Sequence, residues 1–301
     1  MVNQYELNPE FWKDKVVVVL GGTGSMGKGM VNELLKLPVK TIRVAGQTEL
    51  SKYKFITEFR DKEGYKEKVH PKIRNIRDYE GILRLTNGAD IVLNAAAMKD
   101  VTSGIQDPDE TYHTNILGNM NVRNACIKNN VDVCLFVSTD KATNPTTFYG
   151  KTKFMAEGIY ESGNNEKPQS CRTKFGSTRA GNLFGSRRSV IEQWDEWYKL
   201  DPIPEFKVTS LDMTRFYISI ERVARYQLWC AERITGKEQT PFVPEILGCS
   251  LKEILEKRYP KAKYKVIGIF EGEKLYEEFP GNMRSDLKPW LVDYETLMQN
   301  L

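Results

Sequence analysis

The stretch from Lys15 to Gly27, KVVVVLGGTGSMG, decides the fold. Its apolar run Val16–Leu20 is continuous and rich in valine, which is typical of a strand buried on both faces of a parallel sheet. The run passes directly into a glycine-rich turn, and a helical apolar pattern follows from Met30 to Leu35. Glycines there permit a tight bend and close approach of the backbone to a pyrophosphate at the helix N-terminus. The stretch therefore predicts the strand, turn and helix that open a dinucleotide-binding domain. The predicted cofactor contacts in the turn are Gly21, Thr23, Gly24, Ser25, Met26 and Gly27.

Strand and helix patterns alternate from residue 15 to about residue 180, which favours a parallel sheet with right-handed crossovers. The predicted fold class is α/β: a doubly wound parallel sheet with a smaller C-terminal substrate-binding region. We place the dinucleotide-binding domain at 1–180 and the substrate-binding region mostly at 181–301. Part of 211–235 is expected to pack back on the first domain. The C-terminal third is otherwise expected to be helical.

Composition narrows the function classes. The chain has 301 residues, and its 44 basic and 40 acidic residues give a net charge of +4, too small to favour nucleic acid or an anionic membrane as a partner. Five scattered cysteines and two histidines lack metal-site spacing, so we predict reduced thiols and no metal. The charged N-terminus does not resemble a signal peptide, and no run approaches the ~20 apolar residues that span a bilayer. These features predict a cytoplasmic enzyme.

A second decisive stretch follows the apolar run Val133–Val137, where Ser138-Thr-Asp-Lys141 lies at the predicted end of a strand. In an open α/β sheet this is the ligand crevice. Tyr149 and Lys153 are four residues apart on the next helical pattern and so share one face. An ammonium beside a phenol favours phenolate, which can take a proton from a sugar hydroxyl. Each pair alone is usually a surface feature, but their order after a glycine turn predicts a catalytic site.

The tip of the second predicted strand carries Gln47 and Thr48, where an NAD site would place a carboxylate for the ribose 2′-hydroxyl. This favours NADP and leaves NAD possible, with Lys52 or Arg60 as nearby cations. Small side chains at the end of another strand, in Ala95-Ala-Ala97, suit close approach of the cofactor. Further along, several basic residues are candidates for clamping a diphosphate, a task that suits guanidinium groups. They are Arg187, Arg188, Arg215 and Lys274.

The glycine turn, Asn94-Ala-Ala-Ala97 and Tyr149-x-x-x-Lys153 resemble the extended short-chain dehydrogenase/reductase superfamily. Ser138-Thr-Asp-Lys-Ala142, Arg179-Ala-Gly-Asn182 and Met213-Thr-Arg-Phe216 narrow the resemblance, as does the stretch around Gly272-Glu-Lys-Leu275. Together they are similar to the soluble inverting UDP-N-acetylglucosamine 4,6-dehydratases. The resemblance implies a UDP-sugar substrate and a homo-oligomer. It adds Asn75 and Ile76, in place of the family's adenine contacts, to the cofactor site, together with Ala95, Ala96 and Ala97.

The resemblance also implies roles for the catalytic residues. Tyr149, with its pKa lowered by Lys153, takes the C4 hydroxyl proton while hydride passes to the cofactor. Lys141 as a neutral amine then removes the C5 proton, and protonated Asp140 releases the C6 hydroxyl. Thr139 is expected to hydrogen-bond the C4 oxygen. Substrate binding is expected from Lys99, Asn182, Arg187, Arg215 and Lys274.

Two other classes stay open. A nucleotide-sugar 4-epimerase or reductase of the same superfamily would use Tyr149 and Lys153 but has no use for an acid and base near C5 and C6. A noncatalytic NAD(P)-binding scaffold would not need Tyr149 or Lys153. A retaining dehydratase would have Asp-Glu at the strand end, where this chain has Asp140-Lys141.

Overall fold

The computed structural model describes residues 5–99, 106–186, 189–237 and 241–301. Within these ranges its central sheet has parallel strands in the order β3-β2-β1-β4-β5-β6. The order changes direction between β1 and β4, so a crevice opens at the carboxyl ends of these strands. This architecture confirms the predicted doubly wound α/β sheet. The strands are β1 (Val16–Leu20), β2 (Thr41–Gly46), β3 (Val69–Ile73), β4 (Ile91–Asn94), β5 (Val133–Thr139) and β6 (Lys174–Ala180).

The helices cover both faces of the sheet and build much of the C-terminal region. They are α1 (Pro9–Trp12), α2 (Ser25–Leu35), α3 (Glu49–Phe59), α4 (Tyr65–Lys68), α5 (Tyr79–Thr86), α6 (Pro108–Tyr112), α7 (Gly118–Lys128), α8 (Phe148–Glu166), α9 (Val190–Trp197), α10 (Ile220–Ala231), α11 (Leu251–Arg258) and α12 (Tyr294–Asn300). A π-helical segment, His113–Leu117, joins α6 to α7, and a 3₁₀ turn, Asp140–Ala142, follows β5.

Alternate residues of β1 enter two different cores. Val17 and Val19 pack with α2 and α10 on one face, whereas Val18 and Leu20 pack with α5 and α7 on the other. Because both faces are covered, the strand is apolar throughout. Helix α10 lies directly against α2: a Cβ added at Gly29 would approach Ile220 to 2.8 Å. Part of the C-terminal half of the chain thus packs on the glycine-turn helix.

The C-terminal third contains more strand than expected, so the expectation of an otherwise helical region is wrong. Strand β9 (Thr214–Ile218) is buried along its whole length between β7 (Asn182–Leu183) and β10 (Leu247–Ser250). It begins with two polar residues, Thr214 and Arg215, whose burial the pattern did not indicate. The other short strands are β8 (Phe206–Val208), β11 (Tyr264–Val266), β12 (Glu278–Phe279) and β13 (Met283–Arg284).

Strand β3 was also not predicted, because Val69–Ile73 contains Pro71 and alternates poorly. It lies at the edge of the sheet, where proline is tolerated. All five cysteines are buried and free. None of the helices in the described ranges is long and apolar enough to cross a bilayer.

Candidate active site

The glycine turn forms the floor of the crevice. Gly21 has φ +69°, a conformation that side chains disfavour, and a Cβ there would lie 2.7 Å from the Ala95 carbonyl carbon. A Cβ on Gly27 would collide with the Gly21 carbonyl oxygen. Helix α2 begins at Ser25 with no side chain capping its first turn, so its N-terminal N–H groups face the crevice. A backbone cradle at an uncapped helix N-terminus fits a pyrophosphate.

Strand β5 delivers the predicted acid and base to this crevice. Asp140 is fully buried, and its Oδ1 accepts hydrogen bonds from Thr139 Oγ1 (2.8 Å) and Lys141 Nζ (3.1 Å). Its Oδ2 is buried and has no hydrogen-bond partner among the described residues, and the same is true of Ser138 Oγ. Buried polar atoms are normally satisfied, so bare ones beside a cavity indicate a place for ligand atoms.

Helix α8 brings Tyr149 against the same turn. Thr147 caps the helix by accepting from the Gly150 N–H (3.0 Å), and a Cβ at Gly150 would collide with the Lys141 carbonyl oxygen. The absent side chain at position 150 therefore allows the helix to approach the Asp140–Lys141 turn closely. Tyr149, the residue before Gly150, is 8% exposed.

The predicted lowering of the Tyr149 pKa by Lys153 is not what the structure shows. Burial raises the pKa of Tyr149 to about 12, and the groups that oppose this rise are Lys141 and a hydrogen bond with Thr139. The Lys153 amine instead donates to the Val137 carbonyl (2.6 Å) and lies 4.0 Å from the centre of the Phe136 ring. Burial lowers the pKa of Lys153 to about 7, against the opposing effect of Glu157.

The neutral amine expected of Lys141 during the reaction is not the form favoured by its surroundings in the ligand-free protein. Burial lowers the pKa of Lys141, but the carboxylates of Asp140 and Glu277 outweigh that effect, and the net pKa is above the ordinary lysine range. The two carboxylates lie 3.1 Å and 3.4 Å from the Lys141 Nζ. An opposite charge at such distances favours the charged form. Lys141 is therefore an ammonium in this structure.

A cavity of about 650 Å³ connects these groups, a volume suited to a small ligand. It brings together sequence-predicted residues of all three classes: the catalytic set, the cofactor set and the substrate set. Those that line it are Met26, Ala95, Ala97, Lys99, Thr139, Lys141, Tyr149, Lys153, Asn182, Arg215 and Lys274. Arg187 and Arg188, predicted for the diphosphate, lie outside the described residues.

The residues predicted to contact the adenosine end of the dinucleotide cofactor lie at the carboxyl ends of β2 and β3. Thr48 caps α3 by accepting from the Ser51 N–H (3.1 Å), and Gln47 is exposed beside it. Asn75 Oδ1 accepts from the Arg77 N–H (3.0 Å), while Ile76 is buried. The Arg74 N–H donates to the Gly46 carbonyl (2.9 Å), which places the two strand ends side by side. Ala96, with Ala95, contacts the Gly21 turn.

A segment near the C-terminus, 272–278, closes one side of the cavity and contains a residue that sequence reasoning missed. Glu277 is 3% exposed, and its carboxylate lies near Lys141 (3.4 Å), Arg215 (3.9 Å) and Lys274 (3.9 Å). Lys274 Nζ donates to the Thr143 carbonyl (2.6 Å), which links the segment to the catalytic turn, the 3₁₀ turn Asp140–Ala142 with Thr143 at its end. In the sequence Glu277 stands next to Glu278, and no local pattern distinguishes the two, so the burial of the Glu277 carboxylate could not be predicted.

A second contact that sequence reasoning missed anchors Thr143, the residue that follows the Asp140–Ala142 turn. Arg179 donates two hydrogen bonds to the Glu157 carboxylate, at 2.9 Å and 2.6 Å, and a third to Thr143 Oγ1 at 2.9 Å. This buried pair joins α8, β6 and the catalytic turn. Its geometry is the bidentate arrangement that arginine favours.

Comparison with known proteins now places the chain. The model of the polysaccharide biosynthesis protein family matches residues 17–290. The chain belongs to this family. A relative named UDP-N-acetylglucosamine 4,6-dehydratase (inverting), from Campylobacter jejuni, is 35% identical over 265 residues, which cover 87% of this chain and 76% of the relative. A Rickettsia felis UDP-glucose 4-epimerase is 31% identical over 275 residues, covering 88% of this chain and 77% of the relative.

The fold of this family member is also found in a solved structure. The X-ray structure of Pen from Bacillus thuringiensis matches it with a TM-score of 0.87 and 30% sequence identity. The match covers 96% of this chain and 97% of the other. The similarity therefore extends over the C-terminal region as well as the central sheet.

Proposed function

We propose that the protein is a nucleotide-sugar 4,6-dehydratase that acts on UDP-N-acetylglucosamine and inverts C5. The observation that carries this proposal is that Lys141 and Tyr149 line one cavity, with the buried Asp140 carboxylate hydrogen-bonded to Lys141 directly behind its wall. An acid, a base and a phenol at one site are what an oxidation coupled to a water elimination requires. The 35% identity to an inverting dehydratase supports the same substrate.

The chain's own residues supply the proton transfers. Tyr149 takes the proton of the C4 hydroxyl, and its base form requires added positive charge, because burial alone keeps the phenol protonated at neutral pH. Lys141 removes the C5 proton, which becomes acidic once C4 is a ketone. Asp140, as a carboxylic acid, donates a proton to the departing C6 hydroxyl; its Oδ2 has no hydrogen-bond partner among the described residues. A bound nicotinamide dinucleotide supplies the hydride acceptor and donor.

We further propose NADP as the dinucleotide, with NAD as the alternative. Gln47 offers no carboxylate to a ribose 2′-hydroxyl, and Arg74 lies beside the β2 tip through its bond to Gly46. A thermal-shift titration with each dinucleotide tests this, because the tighter ligand raises the melting temperature more at equal concentration. A larger shift with NAD would reverse the assignment.

Purified protein incubated with UDP-N-acetylglucosamine tests the main proposal. We expect a 4-keto-6-deoxy sugar nucleotide to form without added NADPH and without accumulation of reduced cofactor. Asp140→Asn and Lys141→Met should each lower turnover by about 10²–10⁴-fold, the usual contribution of a general acid or base. Dinucleotide binding should persist in both. Wild-type turnover in both variants would show that the assigned chemistry is wrong.

A second candidate is a UDP-sugar 4-epimerase, favoured by the 31% identity to a Rickettsia epimerase. The product separates the two, since an epimerase returns a C4 epimer and no keto sugar. A noncatalytic scaffold would give neither product. The cytoplasmic location and the homo-oligomeric state stay predictions from the sequence.

A further inference from the structure

Lys141 presents a contradiction within the proposed mechanism. A base that removes the C5 proton must be a neutral amine, yet Lys141 lies between two carboxylates that hold it as an ammonium. Some group inside the site must accept a proton from Lys141 before the sugar can give one up. The position of that acceptor follows from the contacts of the amine.

The Lys141 Nζ has three oxygen neighbours: Asp140 Oδ1 at 3.1 Å, Glu277 Oε1 at 3.4 Å and Asn182 Oδ1 at 3.5 Å. Asn182 is an amide and cannot accept the proton at neutral pH. Asp140 has the role of acid toward the C6 hydroxyl, so it must already be a carboxylic acid when the elimination begins and cannot take a second proton. Glu277 is the remaining carboxylate, and nothing in the elimination otherwise employs it.

The surroundings of Glu277 suit a proton acceptor. Its Oε2 is buried and has no hydrogen-bond partner among the described residues. Burial raises the pKa of Glu277, while Lys141 opposes the rise, Asp140 adds to it, and Arg215 and Lys274 oppose it. A carboxylate whose charged form is disfavoured by burial gains more from taking a proton than an exposed one does.

We propose, on the basis of the proposed dehydratase function, that Glu277 positions the Lys141 amine and accepts one of its protons, so that Lys141 can act on C5. The step breaks one Lys141 N–H bond and forms one O–H bond on Glu277. Ammonium and carboxylate become amine and carboxylic acid, and the charge of the pair stays zero. The amine lone pair then takes the C5 proton and restores the ammonium. Glu277 acts through Lys141 and is a positioning residue.

The charged groups around this pair come from several elements. Asp140 precedes Lys141 on the 3₁₀ turn, Tyr149 faces it from α8, and Arg215 faces it from β9. Lys274 lies on the same segment as Glu277. Removing the Glu277 charge leaves Lys141 with one of its two neighbouring carboxylates, Asp140, so the pKa of Lys141 should fall. Without Glu277 as acceptor, the Lys141 proton must leave to solvent.

The test is the pH dependence of turnover in Glu277→Gln. We expect kcat at pH 7 to fall about 10²-fold or more, with KM for UDP-N-acetylglucosamine nearly unchanged, and activity to recover as pH rises and Lys141 deprotonates. The matched control is Glu33→Gln, which removes another buried carboxylate, 4% exposed and paired with Arg225, on the distal half of α2. That control should lose stability but keep the wild-type pH profile.

Clear outcomes would overturn the inference. Turnover of Glu277→Gln equal to wild type at pH 7, or a loss with an unchanged pH profile, would make Glu277 structural only. If Glu277→Gln does not fold, Glu277→Asp decides: a lower kcat with KM within about twofold supports the proposal, and an unchanged kcat refutes it. Wild-type enzyme that forms no keto sugar would remove the proposed function as well, whereas an active wild type with an equally active variant removes this inference alone.

Discussion

Two lysines twelve positions apart, the half-buried Lys141 and the buried Lys153, show how the same side chain is used in opposite ways. Lys141 lies between carboxylates on the turn after β5, and they hold its pKa above the ordinary range. Lys153 lies on α8 against the Phe136 ring and a backbone carbonyl, and burial lowers its pKa to about 7. Both amines line the same cavity.

The difference teaches that the neighbours, and not burial alone, set the charge of each amine. Neighbouring carboxylates offset the free-energy cost of burying an ammonium, whereas a ring face and one carbonyl offset that cost only in part. The amine expected to be neutral, Lys141, is the charged one, and the amine expected to be charged, Lys153, can lose its proton near pH 7. The proposed role of Glu277 follows directly from this reversal.

The largest expected effect comes from Tyr149, the phenol that lines the same cavity as both lysines. Tyr149→Phe should lower kcat about 10²–10⁴-fold, because the proposed mechanism assigns the C4 proton to this phenol. Tyr160→Phe is the matched control, since that buried phenol on the same helix donates to Asn119 (3.1 Å) outside the cavity. The control should cost about 1 kcal/mol of stability and leave kcat unchanged. A Tyr149→Phe enzyme with wild-type turnover would separate the phenol from the chemistry.

The different charge states of Lys141 and Lys153 can be tested through the pH dependence of the free energy of unfolding. An amine whose folded pKa lies below its unfolded value destabilises the fold fully below about pH 7 and ceases to do so above about pH 10. Lys153→Met removes this penalty, so its unfolding free energy minus that of wild type should decrease by ~1.4 kcal/mol per pH unit between pH 7 and 10. Urea unfolding across that range measures the difference.

Lys141→Met should behave differently in the same experiment. The pKa of Lys141 is raised in the folded state, so its stabilising effect is complete below the unfolded pKa and is lost only as pH rises through the folded one. The difference between Lys141→Met and wild type should therefore stay flat from pH 7 to about 10. Parallel slopes for the two variants would contradict the contrast between the lysines.

Much of this could be predicted from the sequence, and the rest could not for physical reasons. The valine run of β1 and its glycine turn carry a strong local signal, and the strand-end position of Asp140 and Lys141 followed from the run before them. The burial of Glu277 depends on residues 136 positions earlier, and no local pattern encodes such a contact. The same holds for Arg215, buried on β9, and for the Glu157–Arg179 pair that anchors Thr143. The four-residue spacing predicted that Tyr149 and Lys153 share one face of a helix, but it could not show that the Lys153 amine donates a hydrogen bond to the Val137 carbonyl.

The smallest expected effect comes from Thr139, which contacts both Asp140 and Tyr149. Its hydroxyl donates to Asp140 Oδ1 (2.8 Å) and its hydrogen bond lowers the pKa of Tyr149. Thr139→Val keeps the shape and removes only the hydroxyl, so kcat should fall about tenfold, the size expected for one hydrogen bond to a charged group. Thr86→Val is the control, because that fully buried hydroxyl bonds Ile82 within α5 and is remote from the cavity. Dinucleotide affinity should be unchanged in both variants. A thousandfold loss in Thr139→Val would support the stronger expectation from the sequence, that the hydroxyl also bonds the reacting C4 oxygen, since two neighbouring groups that each lose one hydrogen bond cannot account for so large an effect.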